Sequence, residues 1–350
     1  MQVSILKRAY LKFVSREDFA EQRRAVSLQR ARPRGDDMTQ RAFSIIGDSV
    51  STFEGLVAPG NRVYYEGAAL EATGVLAAED TWWMRAMTKL GGRFLANASY
   101  SASLVEGAGF PAGSSPERAA QILGPNGEAP DVVWVFMGIN DYGWGGARQQ
   151  AEGHGVAAPT CLDLSAVPER EAALAPADAL EGFARAYGQL LENVRRCAPA
   201  ADVWCLTLLP SRSRELDHPS FCYRLRGVHL DEYNDAIRAA ATQHGCKVVD
   251  TRAYGFEYES VDGTHPTKRG MEQIADLVIA AMAAAGDEAA QRACASSGAD
   301  AGALPSYPEH LRAHDWCDRA SCIGCTWARS TGCQWACVCE APSSVFGNRS

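Results

Sequence analysis

Three short polar motifs in this sequence contain the residue types that nucleophilic catalysis requires. Ser49 ends a Gly-Asp-Ser motif, Asn140 lies in a Gly-Ile-Asn-Asp motif, and Asp262 precedes His265 by three positions. A serine hydroxyl is a weak nucleophile at neutral pH, and a neighbouring imidazole has a pKa suited to accepting its proton. The imidazole needs an acceptor for its second ring nitrogen, which orients the ring and stabilises its protonated form. The motifs therefore predict a catalytic triad of Ser49, His265 and Asp262.

Acyl transfer also requires hydrogen-bond donors for the oxygen atom that becomes negatively charged in the transition state. The candidates are the backbone N–H of Ser49, a backbone N–H from the loop 99–103 and the side-chain amide of Asn140. Removing one such donor typically costs ~2.7–4 kcal/mol of transition-state stabilisation. Each of these groups is therefore expected to affect the reaction rate strongly.

Each motif also has a purely structural interpretation. Gly-Asp-Ser after a strand is a common helix cap. The Asn-Asp pair at 140–141 is compatible with an Asx turn, and the His-Pro pair at 265–266 with a turn that enters a helix. Asp250 competes with Asp262 as the partner of His265. Because Asp262 is nearer to His265 along the chain, we interpret Asp250 as a structural residue.

The elements around these motifs alternate between strand and helix from residue 42 to residue 284. Apolar runs predict strands at 42–47, 93–96, 131–137, 203–208 and 247–250. Helical periodicity predicts helices at 81–90, 115–123, 178–196, 230–244 and 267–284. Alternation of this kind is typical of a parallel sheet with helices on both faces, because each crossover needs a helix to return the chain. The carboxyl ends of parallel strands share one edge, so the three motifs are expected to converge there.

The segments between these elements carry fewer signals. Residues 142–176 are too long for an ordinary connection and are interpreted as a surface insertion that shapes a substrate pocket, and 211–229 as a polar loop. Trp82 and Trp83 lie at helical spacing and are interpreted as core residues, with the lining of an apolar or sugar-stacking pocket as the alternative.

The three motifs, in this order and at strand ends, resemble the sequence blocks of the SGNH (GDSL-type) hydrolase/esterase family over about residues 42–284. The resemblance implies a flavodoxin-like three-layer α/β/α sandwich and the serine-dependent hydrolysis of a carboxylic (acyl or acetyl) ester through an acyl-enzyme. It implies that Ser49 is the nucleophile, His265 the general base, Asp262 its orienting partner and Asn140 an oxyanion donor. A small-molecule ester is the expected substrate, and no cofactor is expected for catalysis.

The sequence departs from the family pattern at one position. The family usually has a glycine after the second strand, and its N–H completes the oxyanion hole; Ala102 stands at that position here. Alanine keeps the N–H, but its methyl group is strained wherever φ is positive. Two alternatives to hydrolysis therefore stay open. The same residues serve acyl transfer to an alcohol or sugar acceptor, and an impaired site is compatible with a binding protein of the same fold.

Composition and charge exclude several classes of function. The chain has 350 residues and a net charge of −8, and its pI is about 5.5. An acidic chain of this kind is not expected to bind nucleic acid or an anionic membrane surface, both of which favour a basic face. No apolar stretch reaches the ~20 residues that span a bilayer, so no transmembrane segment is predicted. The first residues lack a continuous apolar region of the signal-peptide type, so a cytoplasmic location is expected.

The domain organisation follows from these patterns. Residues 1–40 are predicted to form a basic N-terminal extension, 41–286 the catalytic domain, and 287–350 a linker followed by a cysteine-rich tail. Six of the twelve cysteines lie between residues 317 and 339. They are compatible with a structural zinc site, with three disulfides or with a tail that has neither. The zinc interpretation uses Cys322, Cys325, Cys333 and Cys337.

Overall fold

A five-stranded parallel sheet forms the centre of the computed structural model, which describes residues 40–144, 176–213, 224–225 and 228–296. The strands are β1 (Ala42–Gly47), β2 (Arg93–Asn97), β3 (Val132–Phe136), β4 (Asp202–Leu206), β5 (Ser211–Ser213), β6 (Arg224–Leu225), β7 (Val228–His229), β8 (Lys247–Val249) and β9 (Tyr258–Ser260). The central sheet has the order β2-β1-β3-β4-β8. The chain divides between Gln40 and Arg41 into two units, and this sheet belongs to the second.

Helices cover both faces of the sheet and produce the predicted three-layer α/β/α arrangement. They are α1 (Ala68–Thr73), α2 (Trp82–Lys89), α3 (Pro116–Ala120), α4 (Ile139–Trp144), α5 (Pro176–Cys197), α6 (Leu230–Gln243), α7 (Lys268–Ala284) and α8 (Glu288–Ser296). Helices α2 and α7 pack together in one layer, whereas α5 packs against α3 and α6 in the other. No helix among the described ranges combines the length and the apolar character that a bilayer crossing requires.

The central strand β3 and its neighbour β1 are buried along their whole length. Every residue of β1 and β3 is buried, as expected of parallel strands covered on both faces. Trp134 of β3 pairs in register with Trp204 of β4, and both side chains are fully buried. Phe43 of β1 packs on Trp134 with 4.6 Å between ring centroids. These large side chains hold the strands whose carboxyl ends carry the polar motifs.

The strand order places β1 between β2 and β3. The turn that follows β1 therefore lies between the loops that follow its two neighbours. This is the switch point of a doubly wound sheet, where ligands of such folds generally bind. The topology thus brings together the three segments that contain Ser49, Ala102 and Asn140, as the sequence predicted.

Two segments differ from the sequence-based predictions. Residues 211–213, predicted as loop, form β5, which pairs in parallel with β9, and two further residue pairs form the β6–β7 ribbon. Residues 288–296, predicted as part of a linker, form α8. Asp287 starts that helix by accepting the backbone N–H of Ala290 and also forms an ion pair of 2.7 Å with Arg41. Alanine is the best helix former, so a composition that suggested a linker forms a helix once it is capped and packed against α7.

Other expectations fall outside the described residues. The predicted insertion at 142–176 begins within α4 and ends where α5 begins, and residues 145–175 are not described. The N-terminal extension, except for Gln40, and the cysteine-rich tail also lie outside the described ranges. Trp82 and Trp83, in contrast, are fully buried, so their interpretation as core residues is confirmed and the pocket-lining alternative is wrong.

Gly270 allows α7 to approach β9 closely. A methyl group built at Gly270 would lie 1.9 Å from the backbone oxygen of Glu259. Gly270→Ala must therefore displace the helix from the strand, and we expect it to lower the free energy of unfolding by at least about 1–3 kcal/mol, measured by urea denaturation. The matched control is Gly188→Ala in α5, where the nearest atom is the tip of the His244 side chain at 3.2 Å. Equal stabilities of the two variants would contradict the assigned close contact.

Candidate active site

Ser49 stands at the start of a short 3-10 turn directly after β1. The turn spans Ser49–Ser51, and Asp48 caps it by accepting the backbone N–H of Val50 at 3.0 Å. A methyl group at Gly47 would lie 2.6 Å from the Ser51 hydroxyl oxygen, so the tight turn leaves no room for a side chain there. The Gly-Asp-Ser motif is thus a helix cap, as its structural interpretation predicted, and the same cap fixes the orientation of Ser49.

The structure brings Ser49, His265 and Asp262 into one hydrogen-bonded chain. The Ser49 Oγ lies 3.0 Å from the Nε2 of His265, and the Nδ1 of His265 lies 2.7 Å from the Oδ2 of Asp262. The other carboxylate oxygen, Oδ1, accepts the backbone N–H groups of His265 at 2.8 Å and Thr264 at 3.0 Å. With Asp262 accepting at Nδ1, His265 has its Nε2 available to take a proton from Ser49.

Asp262 is held in its charged form. Burial works against the charge, but the hydrogen bond and charge of the His265 side chain and the two backbone N–H groups outweigh it, and the pKa of Asp262 is lowered below its usual value. A carboxylate that stays ionised can stabilise the imidazolium that forms when His265 accepts a proton. The electrostatics therefore suit the role that the sequence predicted for Asp262.

Several buried groups hold the loop that carries Asp262 and His265. The hydroxyl of Tyr65 donates to the carbonyl of Pro266 at 3.0 Å, and that of Tyr258 donates to the carbonyl of Thr264 at 2.7 Å. The N–H of Gly263 donates to the Ser260 Oγ at 3.1 Å. Because its carbonyls and N–H groups are satisfied by neighbouring elements, the loop presents the imidazole in one fixed position.

Ala102 adopts the backbone conformation that the family glycine would suit. Its φ is +63°, and among the described residues it is the one non-glycine residue with a positive φ. The N–H of Ser103 donates to the carbonyl of Tyr100 at 3.2 Å, so Ala102 occupies the third position of a tight turn with the φ pattern of type II. Alanine is strained in this conformation, which is the concern that the sequence raised.

Asn140 is joined to the same turn. Its Nδ2 donates to the carbonyl of Ser103 at 2.9 Å. The amide carries two N–H groups, so this bond orients Asn140 while leaving a second donor. The N–H of Tyr100 donates to the carbonyl of Gly47 at 3.1 Å, which joins the turn to the end of β1. The three predicted oxyanion donors therefore belong to segments that are directly bonded to one another.

Arg118 is a buried residue that the sequence reasoning missed. Its guanidinium is fully buried and donates to the carbonyls of Gly47 at 2.9 Å and Ala98 at 2.8 Å, as well as to that of Pro111. Burial lowers its pKa to about 10, against the opposing effect of Asp48, so the group stays charged at neutral pH. Arg118 thus ties the end of β1 to the loop after β2, and its position inside a short amphipathic helix gave no signal of this role.

Asp141 is a second missed residue. Its carboxylate accepts the backbone N–H of Val105 at 2.9 Å and that of Glu106 at 3.1 Å. It therefore links the segment after the Ala102 turn to the beginning of α4, which carries Asn140. The sequence placed Asp141 in the Gly-Ile-Asn-Asp motif but assigned it only a local turn. Its position immediately after Asn140 was the one signal that could have suggested more.

The remaining candidates lie elsewhere. Asp250 accepts hydrogen bonds from the guanidinium of Arg238 at 2.8 and 3.0 Å and from the hydroxyl of Thr207 at 3.2 Å, which makes it a structural residue, as interpreted from the sequence. No three His, Cys, Asp or Glu side chains within the described ranges come together as metal ligands. The four cysteines of the zinc interpretation lie outside those ranges.

Comparisons with known proteins give one family match. The model of the "GDSL-like Lipase/Acylhydrolase family" matches residues 45–273. Among solved structures, a protein named as a GDSL-like lipase from Bacteroides uniformis ATCC 8492 is 24% identical, with 70% of this chain and 96% of that chain covered and a TM-score of 0.45. A carbohydrate acetylesterase from Sinorhizobium meliloti is 15% identical, with 70% and 99% covered and a TM-score of 0.43. A search of curated proteins finds no match. The matched range contains every residue of the candidate site.

Replacing Ala102 by glycine should relieve the strain at the turn. The left-handed conformation destabilises the folded state by about 1–2 kcal/mol for a residue with a side chain, and glycine removes this strain. Glycine also gives the unfolded chain more conformational freedom, which lowers the gain by about 0.4–1 kcal/mol. We expect Ala102→Gly to raise the free energy of unfolding by up to about 1 kcal/mol in urea denaturation. The control is Ala77→Gly at an exposed position with φ of −140°, which should lower stability. A loss of stability in both variants would argue against strain at Ala102.

Asp48 should make the protein less stable as the pH rises. Burial raises the pKa of Asp48 from 3.8 to about 7, although the Val50 N–H and Arg118 oppose the shift. The folded state therefore binds this proton more tightly than the unfolded state. Its contribution to stability is fully present below about pH 4 and is lost as the pH rises towards 7, at about 1.4 kcal/mol for each pKa unit.

Asp48→Asn removes this titration while keeping an oxygen that can accept the Val50 N–H. We expect its stability, relative to wild type, to increase from pH 4 to pH 8 in urea denaturation. The control is Asp131→Asn, which removes an exposed carboxylate that accepts the Ala42 N–H at the other end of β1. Parallel stability curves for Asp48→Asn and wild type would refute the expectation.

Proposed function

Because the chain belongs to the GDSL-like lipase/acylhydrolase family, we propose that it hydrolyses a carboxylic ester through an acyl-enzyme formed on Ser49. The family supports ester hydrolysis in general terms. The observation that carries the finer proposal is the hydrogen-bonded chain from Asp262 through His265 to Ser49, with distances of 2.7 and 3.0 Å. It supplies a nucleophile, a base and a partner for the base in one connected arrangement.

In the first half of the reaction, the Ser49 Oγ attacks the carbonyl carbon of the ester while the Nε2 of His265 takes the hydroxyl proton. The carbonyl π bond opens, and the oxygen of the tetrahedral intermediate carries the negative charge. The intermediate collapses as the carbon–oxygen bond to the leaving alcohol breaks, and His265 returns the proton to that oxygen. An alcohol leaves and the acyl group remains on Ser49.

In the second half, water replaces the alcohol. His265 takes a proton from the water as its oxygen attacks the acyl carbon, and the second tetrahedral intermediate breaks the bond to the Ser49 Oγ. The proton passes from His265 to Ser49, which regenerates the enzyme and releases the carboxylic acid. Asp262 remains ionised throughout, in keeping with its lowered pKa, and keeps the imidazole oriented. The proposed steps need only these side chains and water.

The oxyanion in both halves is assigned to three donors. These are the backbone N–H groups of Ser49 and Ala102 and the second N–H of the Asn140 amide. The bond from Asn140 to the carbonyl of Ser103 supports this assignment, because it joins the side-chain donor to the turn that carries Ala102. Donors fixed in advance stabilise the developing charge without having to reorganise during the reaction.

Substitution of Ser49 tests the nucleophile. We expect Ser49→Ala to abolish hydrolysis of a short-chain aryl ester such as p-nitrophenyl acetate, since no other group would form the acyl-enzyme. His265→Gln should lower kcat by at least about a thousandfold, because Ser49 loses its base. The control is the same substitution at His244, at the end of α6, which should retain wild-type activity. A Ser49→Ala variant with a wild-type rate would show that the proposal is wrong.

Covalent labelling tests the acyl-enzyme separately from any particular substrate. A fluorophosphonate probe should modify the wild-type protein stoichiometrically at Ser49, as identified by peptide mass spectrometry, and should leave Ser49→Ala and His265→Gln unlabelled. Absence of labelling in wild type would favour the impaired binding protein over an enzyme. A second experiment uses the ester substrate together with added alcohols or sugars. If the probe labels Ser49 but the acyl group of the ester goes to the added alcohol or sugar in preference to water, the reaction is acyl transfer and not hydrolysis.

A further inference from the structure

The ring of Tyr64 lies flat on the imidazole of His265. The two ring centroids are 3.4 Å apart and their planes differ by 5°. The Tyr64 hydroxyl lies 3.4 Å from the Oδ2 of Asp262, the oxygen that also accepts from His265 Nδ1. Tyr64 therefore touches two members of the triad at once. No sequence pattern predicted this contact, because Tyr64 lies between the predicted strand 42–47 and the predicted helix 81–90.

We propose that Tyr64 is a positioning residue for this site: its ring fixes the plane of the His265 imidazole and stabilises the imidazolium that forms during the reaction. The inference rests on the function proposed above. The face of an aromatic ring carries partial negative charge and attracts a cation placed over it. In the proposed reaction His265 takes up a proton only as Ser49 attacks the ester, so the imidazole becomes positively charged in the transition state. The contact is therefore stronger in the transition state, which is the condition for accelerating the reaction.

The position of Tyr64 is fixed relative to the nucleophile as well as the base. Its backbone N–H donates to the Thr52 Oγ1 at 2.9 Å, and that hydroxyl donates to the carbonyl of Ser49 at 2.9 Å. The neighbouring Tyr65 packs edge-on against Tyr64 and donates its hydroxyl to the carbonyl of Pro266. The segment that carries Tyr64 is thus bonded both to the turn that contains Ser49 and to the loop that contains His265.

The ring, not the hydroxyl, carries most of the expected effect. A hydroxyl-to-carboxylate distance of 3.4 Å is long for such a bond, so its contribution is weak. Burial, followed by the charge and hydrogen bond of Asp262, raises the pKa of Tyr64 well above its ordinary value. The phenol therefore stays protonated at neutral pH.

Three substitutions in the full-length chain separate ring from hydroxyl. Tyr64→Phe keeps the ring and should stay within about threefold of the wild-type kcat. Tyr64→Leu removes the ring and should lower kcat about 10- to 30-fold with little change in KM, measured with p-nitrophenyl acetate. Tyr64→Met also lacks the ring, carries an unbranched and more adaptable side chain of about the size of leucine, and provides the same comparison if the leucine variant does not fold. Tyr254→Leu, which removes a half-buried tyrosine near Asp250, is the matched control and should leave both constants unchanged.

A proton NMR signal provides a readout that does not depend on turnover. The His265 Nδ1–H that bonds to Asp262 should give a low-field resonance, which Tyr64→Phe retains and which Tyr64→Leu or Tyr64→Met broadens through exchange with water. Rescue of both kcat and this resonance by phenylalanine would support the inference. Wild-type kcat in Tyr64→Leu or Tyr64→Met, or equal losses in Tyr64→Phe and the ring-free variants, would overturn it.

Failure of the proposed function would appear differently from failure of this inference. If the unaltered protein neither turns over esters nor reacts with a fluorophosphonate, the function is wrong, and the resonance alone then decides whether Tyr64 orients His265. If the unaltered protein reacts and the ring-free variants react at the same rate with an unchanged resonance, the function stands and the role of Tyr64 does not.

Discussion

The carbonyl of Gly47 is the hydrogen-bond acceptor on which the geometry of the site depends. It accepts two hydrogen bonds, one from the backbone N–H of Tyr100 and one from the guanidinium of Arg118. The first joins the end of β1 to the turn that carries Ala102. The second joins it to a buried cation that also holds the carbonyl of Ala98. Because Ser49 comes only two residues later, these bonds set the distance between the serine and the neighbouring turn.

A buried guanidinium makes this connection at a large cost in desolvation free energy. Removing the charge from water carries a penalty that only well-formed hydrogen bonds can offset. Arg118 meets that condition through three carbonyls and the nearby carboxylate of Asp48, whose pKa is lowered by the guanidinium even though burial raises it overall. The rigid, planar guanidinium thereby holds together the end of β1 at Gly47 and the backbone at Ala98 and Pro111. A flexible lysine ammonium would lack this fork of fixed donors.

The sequence predicted the features that depend on periodic patterns, together with those that follow from the topology of a parallel sheet. Alternating apolar runs and amphipathic helices predicted the parallel sheet, and the shared edge of its strands predicted that Ser49, Asp262 and His265 would meet. Their roles in catalysis stay predictions. Tyr64 and Arg118 could not be predicted, because a ring stacked on a distant imidazole and a guanidinium bonded to backbone carbonyls leave no periodic pattern. Helix α8 was missed for a different reason, since alanine-rich composition is shared by linkers and helices.

The packing of α8 determines where the folded unit can be cut. This helix covers part of α7, buries Ala290, and begins at Asp287, whose carboxylate holds Arg41 at the start of β1. A shortened protein ending at Gly286 would leave Arg41 without that partner and one side of α7 exposed to water. The smallest fragment suitable for expression therefore extends through Ser296, so that α8 stays packed against α7 and Asp287 keeps its ion pair with Arg41, the residue directly before β1.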